Sequence, residues 1–364
     1  MAIAGAKKNA ATFPLPARGP ISHTTRVQDL RDFKGKLLLI LGLGLLVLVW
    51  QSLERGKLVV YCAHDSVFSE AVLRDFEKQT GIAVTVKFDT EATKSLGLVE
   101  QIIREEKNPR CDVFWNNELL GTLDLAERGL LDPHKGAGWT RMPERFRDAD
   151  GRWAGFAARL RVTIHRAGTT WTNDALNDDL TRFALAKPLY GTTLTHYTAL
   201  WSLWGGDRTK AWHHGTREHG LVEVNGNAAV KDIVAGGRCD AGWTDTDDYF
   251  AAKDAGAAVT ATPVRLENGA TICIPNTVAI IRGTKRPADA RRLADFLLSA
   301  RTELALAKSR SRQIPLGPLD EAGAAQIPDE VRALMPAAAG GLPLSGLLKA
   351  RNECLEWLKD EYLR

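Results

Sequence analysis

The sequence predicts an α/β protein with a doubly wound sheet and two lobes, preceded by one transmembrane helix. Three observations lead to this prediction. Short apolar runs alternate with amphipathic helical patterns from residue 57 to residue 129. About 310 residues follow the apolar N-terminal segment, which is more than one core of ordinary size holds. Residues 37–50 read LLLILGLGLLVLVW and follow a basic leader. Strands that alternate with helices form mostly parallel sheets with helices on both faces.

The apolar N-terminal run predicts a membrane segment. Together with Leu53 it covers about 17 residues, close to the minimum for a helix that crosses a bilayer. Positive residues dominate upstream, which favours a cytoplasmic N-terminus and export of the rest. We therefore predict a disordered cytoplasmic tail at 1–36 and a signal anchor at 37–53. A cleaved signal peptide is the alternative, but no small-x-small pattern follows the run.

Composition narrows the class of protein. The chain is 45% hydrophobic and 25% charged with a net charge of +4, and much of that charge lies in the leader. No nucleic-acid footprint is present. The cysteines are far apart without a CxxC pair, which excludes a zinc knuckle and a thioredoxin-like motif. We predict no disulfide, and we predict buried thiols for the four cysteines beside strand-like runs: Cys62, Cys111, Cys239 and Cys273.

The first lobe begins with three strand–helix pairs. The apolar periodicity predicts strands at 57–61, 82–88 and 112–115, and helices at 66–80, 95–107 and 119–129. In such sheets ligands lie outside the carboxyl ends of the strands. The loops after these strands therefore face one crevice, and they carry His64, Asn117 and Glu118.

The second half of the chain predicts a crossing into another lobe and a return. Residues 160–166 form a strand that leaves the first lobe, and residues 270–281 form a returning strand pair. Between them we expect helices at 171–186, 195–204 and 228–235, a strand-turn at 188–194 and a strand at 239–243. A helix at 288–299 rejoins the first lobe. The predicted domains are lobe 1 at 57–158 and 268–305, lobe 2 at 159–267, and C-terminal helices at 306–364.

Several motifs resemble, in their order and spacing, the ferric-iron-type periplasmic solute-binding proteins of ABC importers. They are VVYCAHDSVFSEAVLRDFEKQTGI at 59–82, CDVFWNNE at 111–118, LAERGLLDP at 125–133, RLRVTI at 159–164 and GGRCD at 236–240. The likeness extends over about 57–310. It implies a type II periplasmic-binding fold, in which two lobes close on a ligand like a hinge.

The resemblance also implies a partner, a location and a ligand set. It implies a monomer outside the cytoplasmic membrane that delivers a small solute to an ABC permease, with no cofactor and with Fe³⁺ as a transported ligand. Iron-binding members use a His or acidic residue from the first lobe and a tyrosine pair from the second. In this register the pair falls on Asp247 and Asp248. The implied metal ligands are His64, Glu118, Asp247 and Asp248, and the missing tyrosines weaken the case for iron.

The acidic loop has two interpretations. Asp245, Asp247 and Asp248 repel one another unless a cation, a basic partner or proton uptake relieves them. Carboxylates suit hard cations such as ferric iron. Alternatively, Asp247 or Asp248 caps the helix that comes next.

The other candidate site residues also have two interpretations. Arg159 and Arg161 share one strand face and bind an anion or form a hinge salt bridge. A helix opens with three threonines, Thr192, Thr193 and Thr195. Their hydroxyls and the free backbone N–H groups bind an anion, or one threonine simply caps the helix. Asn227 caps the next helix or touches ligand. The remaining alternatives are structural: a packed His64, a Glu118 at a helix N-terminus, and a solvated helix face for His213, His214 and His219.

The function classes follow from these residues. A membrane-tethered solute-binding protein that captures ferric iron or another small solute is the leading hypothesis. The alternative keeps the fold and binds an organic or phosphonate-like anion through the arginine and threonine set. No G-x-S-x-G, H-E-x-x-H or P-loop motif occurs, so we do not expect an enzyme. A sensor input domain would need a separate signalling partner.

Overall fold

The computed structural model describes residues 36, 56–89, 96–169 and 179–363. The predicted tail, apart from Lys36, and the predicted anchor at 37–53 lie outside these residues. Across the described ranges, no helix combines the length and the apolarity that crossing a bilayer requires. The chain divides into Met1–Gly56 and a compact unit, Lys57–Arg364, and this compact unit contains both lobes.

Lobe 1 is a mixed sheet covered by helices, in which the first three strands are parallel to one another. Its strands are β1 (Leu58–Cys62), β2 (Val84–Phe88), β3 (Val113–Asn116) and β4 (Leu131–Asp132), and its first helices are α1 (Ser66–Thr80), α2 (Leu96–Arg104), α3 (Leu120–Glu127) and α4 (Ala137–Arg141). Strand β1 lies between β2 and β3 and is parallel to both. This is the doubly wound start that the alternating pattern predicts.

One long strand belongs to both lobes. Strand β5 (Ala154–Arg166) pairs through residues 154–160 with the antiparallel returning strand β10 (Cys273–Ile281). Its second half pairs with β8 (Ala241–Asp245) and β9 (Val259–Pro263). The predicted strand at 160–166 is therefore only the second half of the real one. The pairing with β10 shifts register between Pro275 and Asn276, opposite Ala157, whose φ is 42°.

Lobe 2 has a parallel core of three strands, in which β6 (Phe183–Ala186) lies between β7 (Val222–Val224) and β8. Its helices are α5 (Gly191–Trp204), α6 (Gly206–Glu218), α7 (Asn227–Ala235) and α8 (Thr246–Asp254). The predicted helix at 171–186 is wrong over 183–186, which is a fully buried strand, and residues 171–178 lie outside the described part. The helix predicted at 195–204 begins earlier, at Gly191.

The remaining helices finish lobe 1 and then run across the molecule. They are α9 (Pro287–Leu297), α10 (Ala300–Lys308), α11 (Glu321–Ala325), α12 (Asp329–Ala339) and α13 (Leu348–Leu363). Helix α13 packs along α5 of lobe 2 and also reaches α3 of lobe 1. Its Leu355 and Leu358 belong to an apolar cluster that contains core residues of both lobes. All five cysteines are buried, as predicted for four of them.

Candidate functional site

A cavity of about 520 Å³ opens where the strand ends of both lobes meet. Lobe 1 contributes the loops after β1 and β3, the crossing strand contributes Arg159, and lobe 2 contributes the ends of β6, β7 and β8. The polar and charged lining residues are Asp65, Asn117, Arg159, Lys187, Tyr190, Thr192, Thr193, Asn225, Asn227, Asp245, Asp247, Asp248 and Tyr362. The volume is within the range of pockets for small organic molecules.

Arg159 connects the two lobes at the floor of this cavity. Its guanidinium donates to the backbone oxygen of Asn117 at 2.6 Å and to the Asp247 carboxylate at 3.0 Å. Only 3% of the residue is exposed. Burial opposes its charge, but Asp247 and Asp245 outweigh burial, so the pKa of Arg159 is raised. The side chain is a fixed positive charge, and the hinge salt bridge predicted as one alternative is present.

Arg161 lies behind the cavity wall and organises a second network. It is fully buried and its Nη1 donates to Asp245 at 2.8 Å and to Asn227 Oδ1 at 3.1 Å. Thr192 Oγ1 and Asn227 Nδ2 also donate to Asp245, at 2.5 and 3.1 Å. The Nε and Nη2 atoms of Arg161 have no hydrogen-bond partner in the part of the chain that the structure describes. Four of the predicted site residues therefore form one network, in which Asn227 is half-buried and the other three are buried.

The acidic loop is compact and largely neutralised. One carboxylate oxygen from each of Asp245, Asp247 and Asp248 lies within 4.8 Å of the others. Two of these carboxylates pair with the buried arginines, and the Asp248 carboxylate accepts a hydrogen bond from Thr244 Oγ1 at 2.7 Å. Asp247 and Asp248 lie in the first turn of α8, where negative charge is stabilised by the helix dipole. Basic partners thus relieve the repulsion that the sequence predicts.

Two helices begin at the cavity. We call residues 191–193, which open α5, and residues 226–228, which are the N-cap and first residues of α7, the two helix starts. Within the described residues, no side chain caps either one. The first N–H groups of a helix have no intrahelical acceptor and carry partial positive charge, so they favour anions. Thr193 Oγ1 donates to Asn227 Oδ1 at 3.1 Å and ties the two starts together. Thr195 instead donates back to the Gly191 carbonyl at 3.3 Å, inside its own helix.

Two predicted metal ligands lie outside the cavity lining. His64 is buried and its ring stacks on Trp115 at 5.5 Å. Glu118 accepts from the backbone N–H groups of Leu120 and Gly121, at 2.5 and 2.8 Å, at the start of α3. Burial raises the pKa of Glu118, although these hydrogen bonds oppose the rise. This geometry favours the packing and helix-terminal alternatives for the pair, and their role as ligands stays a prediction.

Lys187, Tyr190 and Tyr362 are among the cavity residues that sequence reasoning missed, and one histidine was misplaced. Lys187 and Tyr190 follow β6, so a strand prediction at 183–186 would have directed attention to them. Tyr362 lies on α13 and had no comparable signal. The solvated face predicted for His213 is wrong because this ring is fully buried and Tyr197 Oη lies 2.9 Å from its Nδ1. Burial lowers the pKa of His213 to about 4.

Two lobes around a polar cavity, joined by a shared strand, define a protein that binds a small solute. Residues 58–309 match the family of bacterial extracellular solute-binding proteins, and the chain belongs to that family. The match confirms the predictions of a binding protein and of no enzyme.

Individual relatives support the same fold. An Fe(3+)-binding periplasmic protein of Serratia marcescens is 25% identical over 199 residues, which are 52% of this chain and 57% of that relative. Iron-bound HitA from Pseudomonas aeruginosa superposes with a TM-score of 0.72 at 21% identity, covering 84% of this chain and 98% of HitA. AfuA from Actinobacillus pleuropneumoniae, with fructose 6-phosphate bound, gives 0.67 at 18% identity, covering 85% and 99%.

Proposed function

We propose that this chain is the solute-binding component of an ABC importer and that it captures a small organic anion, such as a sugar phosphate or a phosphonate, between its lobes. The observation that carries the proposal is that both helix starts open on one cavity beside Arg159 and Lys187. Such a set supplies backbone N–H donors, two dipole ends and two positive side chains to one anionic group.

The rest of the cavity suits the uncharged part of such a solute. The Asp65 and Asp248 carboxylates accept hydrogen bonds from hydroxyl or amino groups, and the Asn225 side-chain amide both donates and accepts. A cavity of about 520 Å³ is much larger than a single metal ion needs. The fructose 6-phosphate bound to AfuA, a protein of the same fold, is a solute of this kind.

Ferric iron is the second candidate solute. The acidic loop and the Fe(3+)-binding relative from Serratia marcescens favour it. Against it, Asp245 and Asp247 already pair with buried arginines. Burial and the neighbouring Glu223 also raise the pKa of Tyr362, one of the two tyrosines that line the cavity, which disfavours the phenolate that iron prefers.

The family supports an inference about location and partner. We infer that the two lobes work outside the cytoplasmic membrane and deliver solute to a permease as a monomer. Attachment through residues 37–53 stays a prediction. Fractionation of expressing cells tests it: an anchor keeps the full-length chain in carbonate-washed membranes, whereas a cleaved signal peptide yields a shorter soluble chain.

Isothermal titration calorimetry on the purified full chain tests the ligand class. The titrants are fructose 6-phosphate, methylphosphonate, inorganic phosphate, ferric citrate and iron-free citrate, because citrate is itself an organic anion. We expect one of the anions to bind. Lys187→Ala should lower the affinity for that anion about 5- to 10-fold, because a charge-assisted contact is lost. Lys107→Ala, an exposed lysine outside the cavity, is the matched control. Stoichiometric ferric binding that neither Lys187→Ala nor the anions affect would reject the organic anion and favour iron.

A further inference from the structure

One wall of the cavity comes from neither sheet. Tyr362, near the end of α13, lines the cavity together with the two helix starts. The family match ends at residue 309, so α13 lies outside the matched region. One residue that lines the cavity, Tyr362, therefore lies outside the part of the chain that matches the family.

Helix α13 holds this side chain firmly in place. Along its length Glu353 accepts a hydrogen bond from Trp201 Nε1 at 3.1 Å, and Glu361 pairs with Arg217 at 3.0 Å. Near its beginning Arg351 pairs with Asp124 of α3 in lobe 1 at 3.3 Å, and both side chains are more than 90% buried. The helix is thus fixed to lobe 2 along one side and to lobe 1 near its start.

The phenol of Tyr362 has a defined orientation. Its hydroxyl donates to the Glu223 carboxylate, and its oxygen lies 3.5 Å from His213 Nε2. The guanidinium of Arg217 lies 5.5 Å from the centre of its ring. Because the proton is committed to Glu223, the phenol oxygen presents an acceptor, and the ring presents an apolar surface. Tyrosine joins an apolar ring to a polar hydroxyl in this way, which is why it is enriched at binding interfaces.

We propose that Tyr362 contacts the solute and makes the site select organic anions over inorganic ones. The inference rests on the proposed function: the helix starts, Arg159 and Lys187 hold the anionic group. A bare phosphate fills only a small part of the cavity and is held by those groups alone. A phosphorylated solute with a hydroxylated carbon chain extends further, so that the ring packs on its carbons and the phenol oxygen accepts from a hydroxyl. Helix α13 is then part of the binding site.

Calorimetry on the full chain with fructose 6-phosphate and inorganic phosphate tests this inference. Tyr362→Ala should weaken fructose 6-phosphate binding about 10-fold or more and leave inorganic phosphate within about twofold, because only the larger solute reaches the ring. Tyr362→Phe keeps the ring and loses one hydrogen bond, so it should weaken the sugar phosphate about 3-fold. Tyr197→Phe is the matched control: its hydroxyl contacts the same His213 ring from within the core, away from the cavity.

Each outcome has a separate meaning. Unchanged sugar-phosphate affinity in both Tyr362 variants overturns the inference, and so does an equal loss for both anions in Tyr362→Ala, which would indicate a structural role. Wild-type protein that binds phosphate but no sugar phosphate also overturns it. Wild-type protein that binds neither of these probes, nor the methylphosphonate titrated above, rejects the proposed ligand class, and the inference falls with it. If Tyr362→Ala does not fold by circular dichroism, Tyr362→Phe decides the question.

Discussion

Replacement of Arg161 by methionine tests how strongly lobe 2 depends on one buried ion pair. Arg161 is fully buried and lies 2.8 Å from Asp245, which is 3% exposed. The two charge centres are about 4 Å apart, which corresponds to roughly 4 kcal/mol at an effective dielectric constant of about 20. Removal of one partner leaves the other charge buried without compensation, and such changes typically cost about 3–5 kcal/mol.

We therefore expect Arg161→Met and Asp245→Asn each to lower the free energy of unfolding by about 3 kcal/mol. The cost stays at the lower end of the range for Arg161→Met because Thr192 and Asn227 still donate to Asp245. The double variant buries no unpaired charge and should cost only about 2 kcal/mol, which gives a coupling energy of about 4 kcal/mol.

Urea unfolding of the full chain at pH 7, followed by far-UV circular dichroism, measures these free energies. Arg74→Met is the control, because Arg74 pairs with Glu70 on an exposed face of α1 and should change stability by less than about 0.5 kcal/mol. A double variant whose loss equals the sum of the two single losses would refute the reasoning, since it would show that the two charges do not stabilise each other.

Three further perturbations test other parts of the structure. Acidification should destabilise the protein through His213, whose pKa of about 4 lies below the unfolded value of about 6.5. As the pH falls, the unfolded state therefore binds a proton that the folded state does not. Between pH 7 and pH 4 the free energy of unfolding of the wild type, measured by urea titration, should fall by about 3 kcal/mol more than that of His213→Gln. Equal losses in the two proteins would contradict this. Gly242→Ala should lower the free energy of unfolding by about 1–3 kcal/mol, because the new Cβ would lie 2.7 Å from the Ala184 carbonyl oxygen. Gly215→Ala, at an open helical position, should instead raise it by about 0.5–1 kcal/mol. Thermal unfolding measures both changes. Glu118→Ala removes the acceptor for two N–H groups at the start of α3, so it should lower the free energy of unfolding by about 1–2 kcal/mol and leave solute affinity unchanged. A loss of affinity at constant stability would instead show that Glu118 is a ligand.

The fold of lobe 1 was predictable because its signals are local. Strands β1 and β3 are short apolar runs and each is followed by a helix, and strands that alternate with helices in this way predict a doubly wound sheet. Strand β6 was not predictable in the same way. Its residues, Phe-Ala-Leu-Ala, include no β-branched side chain, and they form a strand because they are buried between β7 and β8. That error also concealed Lys187 and Tyr190.

The candidate site was predictable in composition but not in pairing. Polar residues after strands and at helix starts identify Thr192, Asn227 and Asp245 as neighbours of the cavity. Their partner Arg161 depends on the register of β5 against β8, which places Arg161 opposite Asp245. Pairing between residues so far apart in the chain carries no sequence signal that one chain alone reveals. The same reason applies to Tyr362, which reaches the cavity only through the packing of α13.

The shared strand β5 has a mechanical consequence. Because its first half is hydrogen-bonded to β10 and its second half to β8 and β9, β5 joins the lobes as one continuous strand. A swing between the lobes would therefore twist the backbone where β5 changes partners, and it would also strain the contacts that α13 makes with both lobes. The left-handed backbone of Ala157 and the guanidinium of Arg159 lie in that stretch. The backbone that a closing motion would twist and the floor of the cavity therefore belong to the same short segment, so substitutions there should change the rate of solute release and the solute affinity together.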